Sequence, residues 1–236
     1  LYFRNLRGFL TRHLDLERFD TFDRRTGLFD GVLQDVVILT GEKKADRSKL
    51  IELREFSGPP TQAPARSVSV ARESVLLGPE FDFSFFISAD ELAHQLLARL
   101  ATGTKSLRQL GFKTATGTIV WNRLKPAMRD EPADDALPLV WGNGIRPYRF
   151  LQLGNRSGKA THTELNDKTR GITVEGPAIL VKRMTAKEEK RRLVACAAPS
   201  ELADSEHGWF AENHVNVIRP IEPTIELEAV LGLLNS

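Results

Sequence analysis

Thr116 and Gly117, followed closely by Asn122 and Arg123, are the first residues along this chain equipped to grip another molecule. A hydroxyl or a guanidinium can hold a phosphate, a glycine lets backbone come close, and Asn or Arg can meet a nucleobase edge with two hydrogen bonds. A second group, Lys182, Arg183, Thr185 and Lys187, opens a basic run that continues through Lys190, Arg191 and Arg192. Thr185 and Glu188 have capping-box spacing, which predicts a helix over 185–198 whose first N–H groups and neighbouring cations hold a phosphate. Asn213 and His214 form a third pair able to bond phosphates or base edges, and Arg146, in the loop after Trp141, is a fourth candidate. Each group has a plainer alternative. The basic run also suits a solvated helix face, His214 a satisfied turn, and Arg146 an ordinary exposed charge. Trp121 alternates with Ile119 in a presumed strand and is expected in the core.

Other chemistries find less support. Asp35 with Glu42, Lys43 and Lys44 imitates the acidic pair and lysine of a magnesium-dependent nuclease. Asp35, however, lies in the same apolar run that leads to Glu42, with no turn between them, so a strand with a charged exit explains the residues better. His13, His94, His162, His207 and His214 are scattered and join no nucleophile motif. Cys196 is the single cysteine, so no internal disulfide forms, and a reducing cytoplasm is the natural setting. No set of Cys and His has metal-ligand spacing. The best glycine-rich turn is WGNGIRP at 141–147, but Pro147 stands where the helix of a cofactor loop would run, so it reads as a plain turn and no cofactor residues are assigned.

The elements that would position these groups read as an α+β chain. Residues 1–10 form an amphipathic helix with Phe3, Leu6, Phe9 and Leu10 on one side, and 32–40 an apolar, mostly buried strand with a charged exit. The three prolines of 57–66 mark a linker. Ser88 and Glu91 form a capping box opening a helix to about Gly103, with Leu92, Leu96, Leu97 and Leu100 facing a core. Short strands are expected at 118–121, 137–141, 178–183 and 213–218, and a terminal helix carries Ile225, Leu227, Val230, Leu231 and Leu234. With 41% hydrophobic residues the chain is rich enough for a packed core, and 33 basic against 31 acidic residues leave too small a net charge to imply a polyanionic partner on composition alone. No apolar run approaches the roughly 18–20 residues of a membrane helix. The chain begins at Leu1 inside a helical pattern and stops just after another, so a fragment is expected.

Several strings then occur in a telling order: YFRNLRGF at 2–9, GVLQDVVI at 31–38, TGTIVWNR at 116–123, PLVW at 138–141, LVKRMTAKEEKRR at 180–192 and ENHVN at 212–216. Together they resemble the later half of bacterial adenine-specific DNA methyltransferases of restriction–modification systems. The resemblance implies that 1–56 is the closing edge of the methyltransferase sheet, 57–66 a linker and 67–236 a β-rich target-recognition domain ending in a helix. It implies double-stranded DNA as a partner, contacted by the candidate residues above, an upstream catalytic domain of the same protein, and S-adenosylmethionine as cofactor of the complete enzyme. The family's Asn/Asp-Pro-Pro-aromatic tetrapeptide, which holds a flipped adenine, is missing: the adjacent Pro59 and Pro60 are flanked by Gly58 and Thr61. The fragment is therefore expected to bind no cofactor and to methylate nothing alone. A stand-alone DNA-specificity module and part of an RNA methyltransferase are the competing readings.

Overall fold

The computed structural model describes residues 3–23, 36–43, 47–58, 61–79, 83–151, 158–185 and 189–236, with the backbone alone at 101–103. It is α+β, built from short strands and few helices, and divides into two compact units, Leu1–Thr104 and Lys105–Ser236. Among the described residues no helix is long and apolar enough to cross a membrane.

In the first unit, α1 (Arg4–His13) leads into β1 (Asp15–Phe22), β2 (Val37–Glu42), β3 (Leu50–Phe56) and β4 (Arg66–Ala71), then α2 (Arg72–Val75) and α3 (Glu91–Gly103). The strands form a mixed sheet ordered β2-β1-β3-β4, in which only β1 and β3 run parallel. Strict alternation in β3 turns Ile51 and Leu53 inward, where they join Leu16, Phe19, Val70, Val75 and Leu76 in one core. Asp15, the first residue of β1, is fully buried, accepting from the Ser48 amide and hydroxyl and from Arg72 Nη1 at 2.7 Å. The pair and its extra donors satisfy a charge that burial would otherwise make costly.

The structure differs from four expectations in this unit. The 57–66 stretch does not separate compact units; it joins β3 to β4, which pair antiparallel, and the division falls after Thr104. Hydrogen bonding between flanking strands outweighs the linker-like composition, though Pro59 and Pro60 lie outside the described residues. The apolar run expected as a buried strand is seen only from position 36 onward, and Asp35 is outside the description. There β2 is an edge strand, with Val37, Ile38 and Leu39 about 40% exposed. In α3 the cap is Asp90, whose carboxylate accepts from the Leu92 amide, and not Ser88. The helix turns His94 inward, while Leu92, Leu96 and Leu100 are 60%, 50% and 57% exposed, so the expected core face is a solvent face.

The second unit runs through β5 (Phe112–Thr116), β6 (Met128–Arg129), β7 (Ala136–Val140), β8 (Ile145–Arg146), β9 (Arg149–Phe150), β10 (His162–Glu164), β11 (Ile179–Lys182), β12 (Ala195–Ala197), α4 (Ser200–Ala203), β13 (Phe210–Ala211), β14 (Val215–Pro220) and α5 (Leu227–Leu234). One sheet is ordered β12-β11-β14-β5 and wholly antiparallel; a second is ordered β13-β7-β10-β6. Strand β11 is buried on both faces. Ile179 and Val181 pack with Phe112, Ile218 and Val230 of α5, whereas Leu180 packs the opposite way with Val140, Ile145, Cys196 and Trp209. The α5 face anticipated from Leu227, Val230, Leu231 and Leu234 is the one in contact. Past its end, the Asn235 side chain clasps β12 by accepting from the Ala195 amide at 3.1 Å and donating to the Ala195 carbonyl at 2.9 Å.

Arg72→Ala removes the Arg72 guanidinium from the buried Asp15 carboxylate and is expected to lower stability by about 3–5 kcal/mol in urea denaturation. The triple change Leu92→Gln, Leu96→Gln and Leu100→Gln replaces exposed leucines with good helix formers, and each is expected to shift stability by no more than about 0.5 kcal/mol in the same measurement.

Candidate nucleic-acid interface

In the second unit the turn between β13 and β14 is closely held by polar groups. Glu212 is 1% exposed, and its carboxylate accepts from the backbone amide of His214 at 2.9 Å and from His214 Nδ1 at 2.6 Å. A carboxylate can only accept, so Nδ1 must carry a hydrogen and Nε2 is the nitrogen left for other contacts. The turn is bonded to three other segments. The Glu212 amide donates to the Val140 carbonyl, the Asn213 amide to the Ile119 carbonyl, and the His214 carbonyl accepts from the Arg183 amide. Arg183 Nη1 adds a bond to the Asn213 carbonyl at 2.7 Å.

Around this turn lies a groove. Gly142, Asn143, Arg146, Lys159, Lys182, Met184, Glu212 and His214 enclose a cavity of about 290 Å³. Lys159, Glu212 and His214 are shared with an adjoining cavity of about 520 Å³ that Trp121, Lys125, Met128 and Trp141 also line. Arg146 is exposed at the rim, its Nη1 donating to the carbonyls of Asn143 and Ile145 at 2.9 Å each. Lys182 meets Glu189 at 3.0 Å. Cation density is thus concentrated locally in a chain whose overall charge is nearly balanced. Beneath the rim, burial pushes the Cys196 thiol up to about 12, against a smaller opposing effect of a hydrogen bond from the Arg146 backbone. The thiol stays protonated and unreactive at neutral pH. Among the described residues no group of three or more His, Cys, Asp or Glu side chains is arranged to hold a metal ion.

The structure brings Arg146, Lys182 and His214 into one groove, with Arg183 and Asn213 bracing its wall. Asn213 Oδ1 is buried without a partner among the described residues. Thr116, in β5, donates to Asn216 Oδ1 at 3.1 Å. Gly117 is buried, and a Cβ there would lie 2.1 Å from the Glu212 carbonyl oxygen, so the close approach it permits is to its own chain and not to a ligand. Asn122 and Arg123 sit exposed in a 3-10 turn, Trp121–Arg123, and Arg123 borders a separate hollow with Glu164, Asp167 and Lys168. Lys187 lies outside the described residues.

Two expectations fail here for physical reasons. Residues 118–121 are not a strand: Ile119 makes a single parallel bridge to Glu212, the chain then turns, and Trp121 is 43% exposed instead of in the core. The basic run is not a helix through 198. Val194, Ala195 and Cys196 are buried and return beside β11 as β12, so the described part of the run forms the connection of a hairpin. Core pairing overrides the local helical signal. The Thr185 hydroxyl donates to the Arg192 carbonyl at 3.4 Å, and Glu188, its expected capping partner, lies outside the described residues.

Glu212, Asn143, Lys159 and Trp141 border the groove without having been singled out. Only Glu212 had a local signal, an acid two positions before His214 in a run of polar groups.

No protein-family model matches the chain. The type II methyltransferase M.PstI of Providencia stuartii is 23% identical over 235 residues, covering 98% of this chain and 46% of its own length. The type II methyltransferase M.BsuBI of Bacillus subtilis is 26% identical over 236 residues, with the same 98% and 46% coverage. The chain is related to type II methyltransferases and spans about half the length of these two. The solved structure of the type IIG restriction endonuclease BpuSI aligns with 99% of this chain and 34% of its own at 15% identity, with a TM-score of 0.34, too loose an overlap to build on.

Gly117→Ala forces a methyl group into the Glu212 turn and is expected to cost at least about 1–3 kcal/mol, read as a fall in thermal midpoint. Cys196 in the folded chain is expected to resist a soluble thiol reagent at pH 8 and to react on unfolding. Rapid modification without unfolding would contradict its burial.

Proposed function

We propose that this chain is the DNA-reading part of an adenine-specific DNA methyltransferase of a restriction–modification system. The surface that reads double-stranded DNA is the groove of Arg146, Lys159, Lys182 and His214. The observation that carries this reading is the convergence of four cationic or protonatable side chains around a turn locked by the buried Glu212, in a chain related to type II methyltransferases. Phosphates are held by the lysines and the arginine. Nε2 of His214 is the ring nitrogen left to meet a base edge, since Nδ1 is held by Glu212.

In this reading the mixed sheet of the first unit belongs to the edge of the catalytic fold. The complete enzyme moves a methyl group from S-adenosylmethionine to the exocyclic amine of adenine. The groups that bind the cofactor and the methylated base are supplied by the catalytic domain, a separate segment of the same protein, and this chain alone transfers no methyl group.

Fluorescence anisotropy with a short labelled duplex tests the reading. Affinity is expected to fall steeply with salt, and Arg146→Ala or Lys159→Ala to reduce the slope of log K against log salt by about 1 each, as one phosphate contact is lost. Binding insensitive to salt and to both substitutions, or a preference for single-stranded RNA over duplex DNA, would contradict it.

A further inference from the structure

The larger of the two adjoining cavities has a composition that phosphate contacts do not explain. Trp121 and Trp141 both line it, with Met128 and Ala160 between polar groups. Trp141 is held in place by its Nε1, which donates to the Ala160 carbonyl at 2.7 Å. Lys159 Nζ lies 4.5 Å from the centre of the Trp141 ring, and Lys125 Nζ 4.8 Å from that of Trp121. Each aromatic wall therefore carries a cation over one face of its ring, leaving the other face and the ring edge for a flat ligand. His214, with Nδ1 committed to Glu212, brings one unengaged ring nitrogen to the same cavity.

The volume, about 520 Å³, is that of a small-molecule site, and its lining combines flat apolar faces, a soft thioether, one hydrogen-bonding ring nitrogen and two cations. A ligand matching all of these is planar, carries ring heteroatoms at its edge and bears an adjacent anion. That is the chemistry of a nucleotide. Aromatic side chains receive bases in this way when the bases are unstacked, because every base has a π-face.

We propose that this cavity binds one unstacked nucleobase, lying against Trp121 and Trp141, with its phosphate near Lys125 and Lys159 and its edge facing His214. The source of that base, a DNA strand, rests on the functional reading above; the pocket itself does not. This base is distinct from the one that would be methylated, because the tetrapeptide expected to hold that adenine does not occur in the chain. An unpaired or displaced base in the bound DNA would be held here and the duplex distorted beside it.

The test compares four probes on the 236-residue chain: a paired duplex, the same duplex with one unpaired adenine, a single-stranded oligonucleotide and deoxyadenosine monophosphate. Anisotropy and tryptophan fluorescence are read together. Trp209 is fully buried, so ligand quenching reports on Trp121 and Trp141. The unpaired base is expected to tighten duplex binding about tenfold and to quench the fluorescence, with Trp121→Ala bringing the ratio to about one and Trp121→Phe restoring most of it. Equal affinity for the two duplexes without quenching overturns the pocket and leaves the DNA reading standing. Quenching by the mononucleotide that Trp121→Ala removes, with neither duplex bound, supports the pocket and overturns DNA as its source.

Discussion

The arrangement of the second unit depends on one buried carboxylate. Glu212 is almost wholly removed from solvent, and a carboxylate so placed is tolerable only when its oxygens are supplied with donors. The His214 amide and ring supply them. That requirement fixes the turn, and the turn fixes its neighbours, since its backbone groups close hydrogen bonds to Val140, Ile119 and Arg183. Gly117 and Gly142 answer the same constraint from outside: a Cβ at either would strike the Glu212 or His214 carbonyl. A histidine held this way would lose little further entropy in meeting a ligand.

The groove also shows how few cations in a sequence are available to a partner. Arg183 is used to hold the Asn213 carbonyl, and Lys182 is shared with Glu189. The basic run reads as a single positive block in the sequence, yet the strands on either side of it spread it through a hairpin connection. Arg146 and Lys159, far from that run in the sequence, line the same groove as Lys182. A near-zero net charge is therefore compatible with a locally cationic surface.

What was legible in the sequence was what neighbours in the chain determine. The short apolar strands at 179–182 and 215–218, the short strand ending before Trp141 and the apolar stripe of α5 all correspond to elements that pack in the core. What was hidden depends on partners far along the chain. Trp121 lies outside any sheet because its segment is joined to Glu212 by a single bridge at Ile119, with no ladder to continue it. Residues 185–198 have a helix-like beginning but a buried Val194-Ala195-Cys196 that must pair with β11. The leucines of α3 have core spacing, but this helix turns His94 inward instead. Of the candidate residues, those that converge are separated by up to about seventy positions, a proximity that no local period encodes.

On the proposed function, the Glu212–His214 turn and the loops around it face DNA. Amide hydrogen exchange on the chain with and without a saturating duplex measures this most directly, since it reports every backbone segment at once. The account predicts that added protection concentrates at 142–146, 158–160, 182–184 and 212–214, while α3 and the first sheet exchange as before. Protection confined to the first unit, with those four segments unchanged, would contradict it.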